Sequence, residues 1–178
     1  AENVVVPDIT HTGDVSPTLL DEFFVELRAA FAFADDEAFA GVLAYLIQPM
    51  VTHLSPGMYP GYLFVGPTQS GKNALAGFVP GLFYANNNGS PVMQLRQPTN
   101  REETQKMFAD AAKYIYLVFD EVLGASFDMH KNLDSLITSP QLQARIMHVG
   151  YRVRPNEFVV ALTAVATALS DETAGRFI

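Results

Sequence analysis

The stretch YLFVGPTQSGKNAL, Tyr62–Leu75, decides the fold. It begins with a short apolar run typical of a buried strand, continues with the glycine pattern GPTQSGK, and ends in residues that favour a helix. Glycines let backbone N–H groups converge on phosphate oxygens, and the positive end of the following helix favours an anion. The stretch predicts a phosphate-binding loop, in which Lys72 reaches the β- and γ-phosphates. Its residues are Gly66, Pro67, Thr68, Gln69, Ser70, Gly71, Lys72 and Asn73.

The composition is that of a globular protein. Of 178 residues, 49% are apolar and 17% are charged, which suits one domain with a buried core. No apolar run approaches the roughly 18 residues that cross a bilayer, and the first residues lack the pattern of a signal peptide. We therefore expect no membrane partner and a cytoplasmic location. The absence of cysteine excludes disulfides and thiolate metal sites.

The pattern along the chain predicts alternating helices and strands. A helix should begin at the N-cap Ser16, and a second should be capped by Asp35 or Asp36 and stop near Pro49. Strands are expected at YLFV, VMQL, YIYLVF and FVVALTA, and a further helix at TNREETQKMFADAAKY. Because these strands are apolar throughout, they predict a parallel sheet covered by helices on both faces. We expect residues 1–15 to be an arm or linker and residues 16–178 to be one domain.

Two carboxylates end one of these strands, in YIYLVFDE. A magnesium-dependent NTPase needs a carboxylate at the C-terminal end of a neighbouring strand and a second one to orient or deprotonate the attacking water. Asp120 suits the first role and Glu121 the second, whereas the simpler interpretation is a strand that ends in surface acids. Together with the loop, the pair predicts a P-loop ATPase that uses ATP and Mg²⁺.

The net charge of −8 argues against a broad nucleic-acid-binding face. The segment QLQARIMHVGYRVRPN, which could be a hairpin turning at Gly150, is a local exception because it has no acid. Its basic side chains could contact DNA phosphates, and the alternatives are a solvated hairpin or ion pairs with a neighbouring subunit. The candidate DNA-binding residues are Arg145, His148, Arg152 and Arg154.

From Leu20 to its end, the sequence resembles the AAA+ ATPase domain of phage and plasmid replication proteins, which is related to primase-associated, superfamily-three-like helicases. The resemblance lies in GPTQSGKNALA, REETQKMFADAA, LVFDEVLGASFD, LDSLITSPQLQARIMHVG and ALTAVATALSDETAGRFI. It implies an α/β P-loop NTPase fold of the AAA+ type with N-terminal helices. Since the sequence stops after AGRFI, the helical lid that normally follows is expected to be absent.

The resemblance also implies a function. Domains of this family form rings, usually hexamers, in which ATP hydrolysis drives DNA translocation and unwinding in a bacterial or phage-infected cell. Carried over by position, Lys72 and Glu121 are catalytic and Asp120 holds the metal. Arg176 would be an arginine finger for the ATP of a neighbouring subunit, and the basic hairpin corresponds to a DNA-contacting element in the pore.

Three positions depart from the family pattern. Asn73 replaces the Ser or Thr whose hydroxyl binds Mg²⁺, although an amide oxygen can also ligate a hard cation. TAVA stands where related sequences read like TGNN, so that Val165 or Ala166 replaces a polar residue; the nearest polar substitutes are Thr163 and Thr167. A paired arginine is reduced to Gly175 and Arg176. These departures favour nucleotide binding over efficient hydrolysis.

Three functions therefore remain open: a ring-forming DNA-replication motor, a nucleotide-binding assembly module with little or no hydrolysis, and a small-molecule kinase. The kinase is the weakest, because no arginine-rich lid is visible and the DE pair suits water activation. The remaining histidines, His11, His53 and His130, have no partners at metal-ligand spacing.

Overall fold

The structure is a computed structural model that describes residues 16–55, 57–84, 92–95, 103, 114–120, 133–134, 136–146, 150–165 and 175–178. Three helices lie in these ranges: α1 (Pro17–Ala30), α2 (Asp36–Leu54) and α3 (Lys72–Tyr84). The strands are β1 (Tyr62–Val65), β2 (Val92–Leu95), β3 (Tyr116–Phe119), β4 (Gln141–Ile146), β5 (Gly150–Pro155) and β6 (Val159–Ala164). The predicted arm at residues 1–15 lies outside the described residues, as does the predicted helix around Glu103 apart from that residue, which is helical.

Four strands form the predicted parallel sheet, in the order β1-β6-β3-β2. β3 and β6 lie in its middle, and every residue of both is buried. Their side chains alternate between two apolar clusters, one on each face: Leu117 and Leu162 belong to one, Val118 and Ala161 to the other. Both faces are therefore covered, which explains why these strands are apolar throughout.

Helices α1, α2 and α3 cover one face with Leu27, Tyr45 and Leu75 among others. On the other face, Leu133, Leu136 and Ile137 come from the predicted helical segment NLDSLITS, of which residues 133–134 and 136–138 are described and helical.

The first two helices begin at the N-cap residues that the sequence predicts. The Ser16 side chain accepts a hydrogen bond from the Thr18 backbone N–H at 3.2 Å, with Pro17 at the first helical position. Asp35, rather than Asp36, caps α2, because its carboxylate accepts from the Ala38 N–H at 2.8 Å.

The predicted end of α2 near Pro49 is wrong, since the helix continues to Leu54. Proline has no N–H, so the Tyr45 carbonyl four residues earlier loses its helical hydrogen bond. The hydroxyl of buried Tyr116 lies 3.5 Å from this oxygen and 3.4 Å from the Leu46 carbonyl oxygen. The Tyr116 hydroxyl, a donor from a distant strand close to the freed Tyr45 carbonyl, helps explain why the helix tolerates Pro49.

Pro80 repeats this arrangement inside α3. It frees the Ala76 carbonyl, and the Tyr45 hydroxyl donates a hydrogen bond to it at 2.7 Å. Tyr45 is fully buried, with its ring against those of Tyr62 and Tyr116. The aromatic core thus supplies the donor that the proline removes.

The basic segment forms the predicted hairpin. β4 and β5 pair antiparallel as a separate two-stranded sheet, and Ile146 lies opposite Gly150. Gly150 has a φ of 104°, which a residue without Cβ adopts at little cost, and it begins β5. Residues 147–149 lie outside the described ranges.

Residues 176–178 lie along the free edge of β1. The Gly61 N–H donates to the Arg176 carbonyl at 3.0 Å, and the Leu63 N–H donates to the Ile178 carbonyl at 2.9 Å. A Cβ on Gly61 would lie 2.4 Å from the Phe177 ring, so this close approach requires glycine. The pairing is parallel and fixes Arg176 beside the beginning of β1.

In the part of the chain that the structure describes, no helix combines the length and apolar character needed to cross a membrane.

Candidate nucleotide site

The glycine loop lies at the carboxyl edge of the parallel sheet, between the end of β1 and the start of α3. The Gly66 N–H donates to the Ala164 carbonyl at 3.1 Å, which ties the loop to the end of β6. The Leu75 N–H donates to the Gly71 carbonyl at 2.8 Å and forms the first turn of the helix. The order of strand, loop and helix is the one that the sequence predicts.

The loop conformation depends on its glycines. Gly71 has a φ of 84°, in the left-handed region that side chains disfavour. A Cβ on Gly66 would lie 2.6 Å from the Ser70 hydroxyl oxygen. Gln69 also has a positive φ, 65°. These residues wrap the backbone tightly around the space ahead of α3, whose N-terminal N–H groups attract anions.

Lys72 is the first residue of α3, and its ammonium group donates to the Pro67 carbonyl at 3.2 Å. The Ser70 N–H donates to the same oxygen at 3.2 Å. The lysine side chain is therefore folded along the loop, with its positive charge beside the turn. The bond to the neutral carbonyl can be exchanged for a stronger, charge-assisted bond to phosphate.

Asp120 lies at the same edge of the sheet, directly after β3. The Asn73 side-chain N–H donates to Asp120 Oδ1 at 2.5 Å, although the two residues are 47 positions apart. The hydroxyl of Thr163, which is fully buried, donates to the same oxygen at 3.1 Å. The structure therefore brings Asp120 to the first turn of α3, where a carboxylate was expected.

Strand order corrects one expectation. The carboxylate was expected on a neighbour of β1, but β6 lies between β1 and β3. Phe119 lies opposite Leu162, so Asp120 follows at the level of Thr163. Thr163 was predicted only as a polar substitute near the attacking water. Its contact with Asp120 was missed, because the sequence does not reveal strand order.

The side chains of Asn73 and Asp120 do not fit a shared Mg²⁺ in this arrangement. The amide nitrogen, which cannot ligate a cation, faces the carboxylate, and the amide oxygen Oδ1 is buried with no hydrogen-bond partner among the described residues. The assignment of both residues as metal ligands stays a prediction.

Arg176 lies far from the loop of its own chain. Its backbone is bonded to Gly61 at the start of β1, whereas the loop begins after Val65, about 13 Å along the strand at 3.3 Å per residue. Its guanidinium Nε is 3.5 Å from Asp134 Oδ1, and both side chains are partly buried. No pattern in the sequence indicates Asp134 as its partner. The arginine-finger role stays a prediction.

A shallow pocket of about 290 Å³ adjoins Arg176 near the beginning of β1, and Met58, Ile137 and Phe177 are among its lining residues.

The other predicted site residues divide into two groups. Arg145, Arg152 and Arg154 lie in the hairpin, opposite Tyr151, Ala144 and Leu142 respectively. No group of three or more potential ligands suited to a metal occurs among the residues that the structure describes. Predicted residues outside the described ranges are Glu121, His148, Ala166 and Thr167, together with His11 and His130.

Comparison with solved structures gives the fold. Hsp104 of S. cerevisiae, in a complex with ADP, superposes with a TM-score of 0.58 over 88% of this chain at 15% identity. A JCV helicase bound to a substituted phenylacetamide gives a TM-score of 0.53 over 89% of this chain at 18% identity. The chain therefore shares the α/β P-loop NTPase fold of these two structures.

This chain covers 26% of the length of the Hsp104 chain and 48% of the length of the helicase chain. No family model matches the sequence, and no curated protein matches it either. The likeness therefore concerns the arrangement of strands and helices, and the chemistry has to be argued from the side chains of this chain.

Proposed function

We propose that the protein binds ATP at the loop ahead of Lys72 and serves as the motor domain of a DNA-replication helicase that works as a homo-oligomeric ring. The observation that carries the proposal is the meeting of two separate segments at one sheet edge: the continuous loop and start of α3, and the end of β3. The glycine loop, the first turn of α3 and Asp120 converge there, although Asn73 and Asp120 are 47 positions apart. An isolated glycine turn would not require this convergence.

The loop supplies the groups that a triphosphate needs. Free N–H groups at the start of α3 and the positive end of the helix face the anion. Lys72 exchanges the Pro67 carbonyl, now 3.2 Å from its ammonium group, for phosphate oxygens. Glu121, which follows Asp120 in the sequence, is assigned to orient the attacking water.

The position of Arg176 supports a role between subunits. A side chain about 13 Å along β1 from the loop cannot reach a phosphate bound to its own chain. It can serve a nucleotide on a second copy that packs against this edge of the sheet. The ring is therefore part of the proposal, because the site lacks this positive charge without a neighbour.

An exposed apolar stripe supports self-association. On α2, four side chains at helical spacing are exposed, and Leu54 is the most exposed at 84%. Such a contiguous stripe is typical of a protein contact. Its residues are Ile47, Met50, Val51 and Leu54.

DNA contact is assigned to the hairpin. The chain is acidic overall, with a net charge of −8, so a local basic element has to carry any phosphate contacts. By register, Arg152 and Arg154 are two positions apart on β5, whereas Arg145 pairs with Tyr151, the residue before Arg152. We assign DNA binding to these arginines and to His148.

Nucleotide titration tests the proposal. A fluorescent ATP analogue should bind the wild type with micromolar affinity, and Lys72→Met should weaken binding at least tenfold, because a positive charge beside the phosphates is lost. Arg152→Met removes one positive charge from the hairpin and is the matched control, which should leave nucleotide affinity within twofold. Equal binding by wild type and Lys72→Met would exclude the loop as the site.

ATP turnover with and without single-stranded DNA separates the motor from its alternative. The motor is supported if DNA stimulates the ATP turnover of the wild type and stimulates that of Arg152→Met less. The replacement of Ser or Thr by Asn73 favours the alternative, a nucleotide-binding assembly module. Nucleotide binding without hydrolysis under either condition would establish that module instead.

A further inference from the structure

The contact between Asn73 and Asp120 has a consequence for nucleotide binding. In this structure, two neutral donors, the Asn73 amide and the Thr163 hydroxyl, converge on Asp120 Oδ1. The amide is the closer, at 2.5 Å, and Thr163 lies at 3.1 Å. One oxygen of the carboxylate is therefore already occupied by two donors from the protein itself.

We propose that Asn73 determines the cation dependence of the site: its amide takes the position of a divalent cation beside Asp120, so that nucleotide binds with little dependence on Mg²⁺. The proposal rests on the proposed nucleotide site. It gives a physical reason for the replacement of the usual hydroxyl by an amide.

The orientation of the amide follows from its neighbours. A carboxylate only accepts hydrogen bonds, so the amide nitrogen has to face Asp120. The amide oxygen then points elsewhere, and it is buried with no partner among the described residues. Turning this oxygen toward a cation beside Asp120 would break the bond to the carboxylate and leave a short contact between two acceptors. The hydrogen bond and the cation therefore compete for the same space.

A hydroxyl at position 73 would behave differently. Ser and Thr side chains are shorter than Asn by one heavy atom, and their oxygen both donates and accepts. A hydroxyl could therefore ligate a cation while the space next to Asp120 stays open, which is the arrangement that the Asn73 side chain prevents.

The phosphates still require positive charge, and the loop supplies it. Lys72 and the N-terminus of α3 lie on the loop side of the site, separate from the amide that faces Asp120. Asn73 and Thr163 give Asp120 Oδ1 hydrogen-bond partners from the chain itself, so a cation is not required as the partner of this oxygen. Binding should therefore survive removal of divalent cations.

The test is the affinity of the intact chain for a fluorescent ATP analogue, measured in about 5 mM Mg²⁺ and in excess EDTA. For the wild type, the ratio of the two dissociation constants should be below fivefold. For Asn73→Thr, which restores a hydroxyl, the ratio should be at least fivefold larger than for the wild type. Lys72→Met, measured in both buffers, shows that the signal comes from the loop.

The outcomes are distinct. A wild-type ratio of fivefold or more overturns the inference while nucleotide binding stands, and so does an Asn73→Thr ratio equal to that of the wild type. No binding in either buffer overturns the proposed function together with this inference. If Asn73→Thr does not fold, which thermal unfolding would show, the wild-type ratio decides alone.

Discussion

Burial raises the pKa of two neighbouring tyrosines, Tyr45 and Tyr62. Their rings are 5.1 Å apart in the core beneath α2. Loss of water raises the pKa of Tyr62 to about 12. Burial also raises the pKa of Tyr45, and the nearby phenol of Tyr62 raises the pKa of Tyr45 further by charge repulsion. Both phenols therefore keep their protons in the folded protein at a pH where the unfolded chain loses them.

This difference predicts a loss of stability at high pH. An unfolded tyrosine titrates near pH 10, so below that pH the two states bind equal numbers of phenolic protons. Above it the unfolded state binds fewer, and the free energy of unfolding falls as the pH rises toward 12, by up to about 1.4 kcal/mol per unit for each phenol.

Urea unfolding at pH 8, 10 and 11 checks the slope. Between pH 10 and 11, Tyr62→Phe should lose about 1 kcal/mol less than the wild type, because one of the two phenols is gone. Parallel pH profiles for wild type and Tyr62→Phe would contradict the assignment.

Among the helices, the prolines inside α2 and α3 show how a core compensates for a backbone defect. Pro80 removes the helical donor of the Ala76 carbonyl, and the Tyr45 hydroxyl replaces it at 2.7 Å. For Pro49, the Tyr116 hydroxyl is farther from the freed Tyr45 carbonyl, at 3.5 Å. The first replacement is a good hydrogen bond, whereas the second is at the limit of one.

A double-mutant cycle tests this compensation. Tyr45→Phe should lower the free energy of unfolding by about 1–3 kcal/mol, because the buried Ala76 carbonyl loses its donor. In a Pro80→Ala background, the helix supplies its own N–H, so the cost should be smaller by at least about 0.5 kcal/mol. Chemical denaturation of the four proteins measures this coupling.

The corresponding cycle of Tyr116→Phe with Pro49→Ala is the control, and it should give a weaker coupling because the contact is longer. Additive effects of Tyr45→Phe and Pro80→Ala would show that the hydroxyl does not compensate for the proline.

The elements also show what a sequence can predict. The cap at Ser16, the glycine loop and the hairpin were predictable, because each depends on residues within a few positions of one another. The continuation of α2 past Pro49 was not, since it depends on Tyr116 in a distant strand. The contact of Asp120 with Thr163 was also out of reach, because it requires the order of β6 and β3.

For the whole molecule, the two edges of the parallel sheet carry different chemistry. The loop and Asp120 lie at the carboxyl edge, whereas Arg176 and its partner Asp134 lie beside the beginning of β1. Under the proposed function, Arg176 completes the nucleotide site of another copy rather than that of its own chain. This division agrees with the proposed ring.

Mixing two defective variants tests whether Arg176 of one copy acts on the nucleotide loop of another copy. Lys72→Met lacks a working loop and Arg176→Ala lacks the arginine, so each alone should hydrolyse ATP at least tenfold more slowly than the wild type. In mixed oligomers, an intact Arg176 can face an intact loop, and an equimolar mixture should exceed the mean of the two separate rates at least threefold. The readout is phosphate release at fixed total protein.

The control mixture combines Arg176→Ala with the double variant Lys72→Met/Arg176→Ala, in which no intact arginine is available, and it should show no gain. A mixture of the two single variants that gives only the mean rate would place Arg176 outside the site.

The contact between Gly61 and Phe177 constrains how this sequence can change in evolution. The ring occupies the space that a Cβ at position 61 would need, with 2.4 Å between them. A lineage that gains a side chain at position 61 is therefore expected to replace the aromatic ring at position 177 by something smaller in the same step or earlier. Substitutions at these two sites should therefore occur together across descendants.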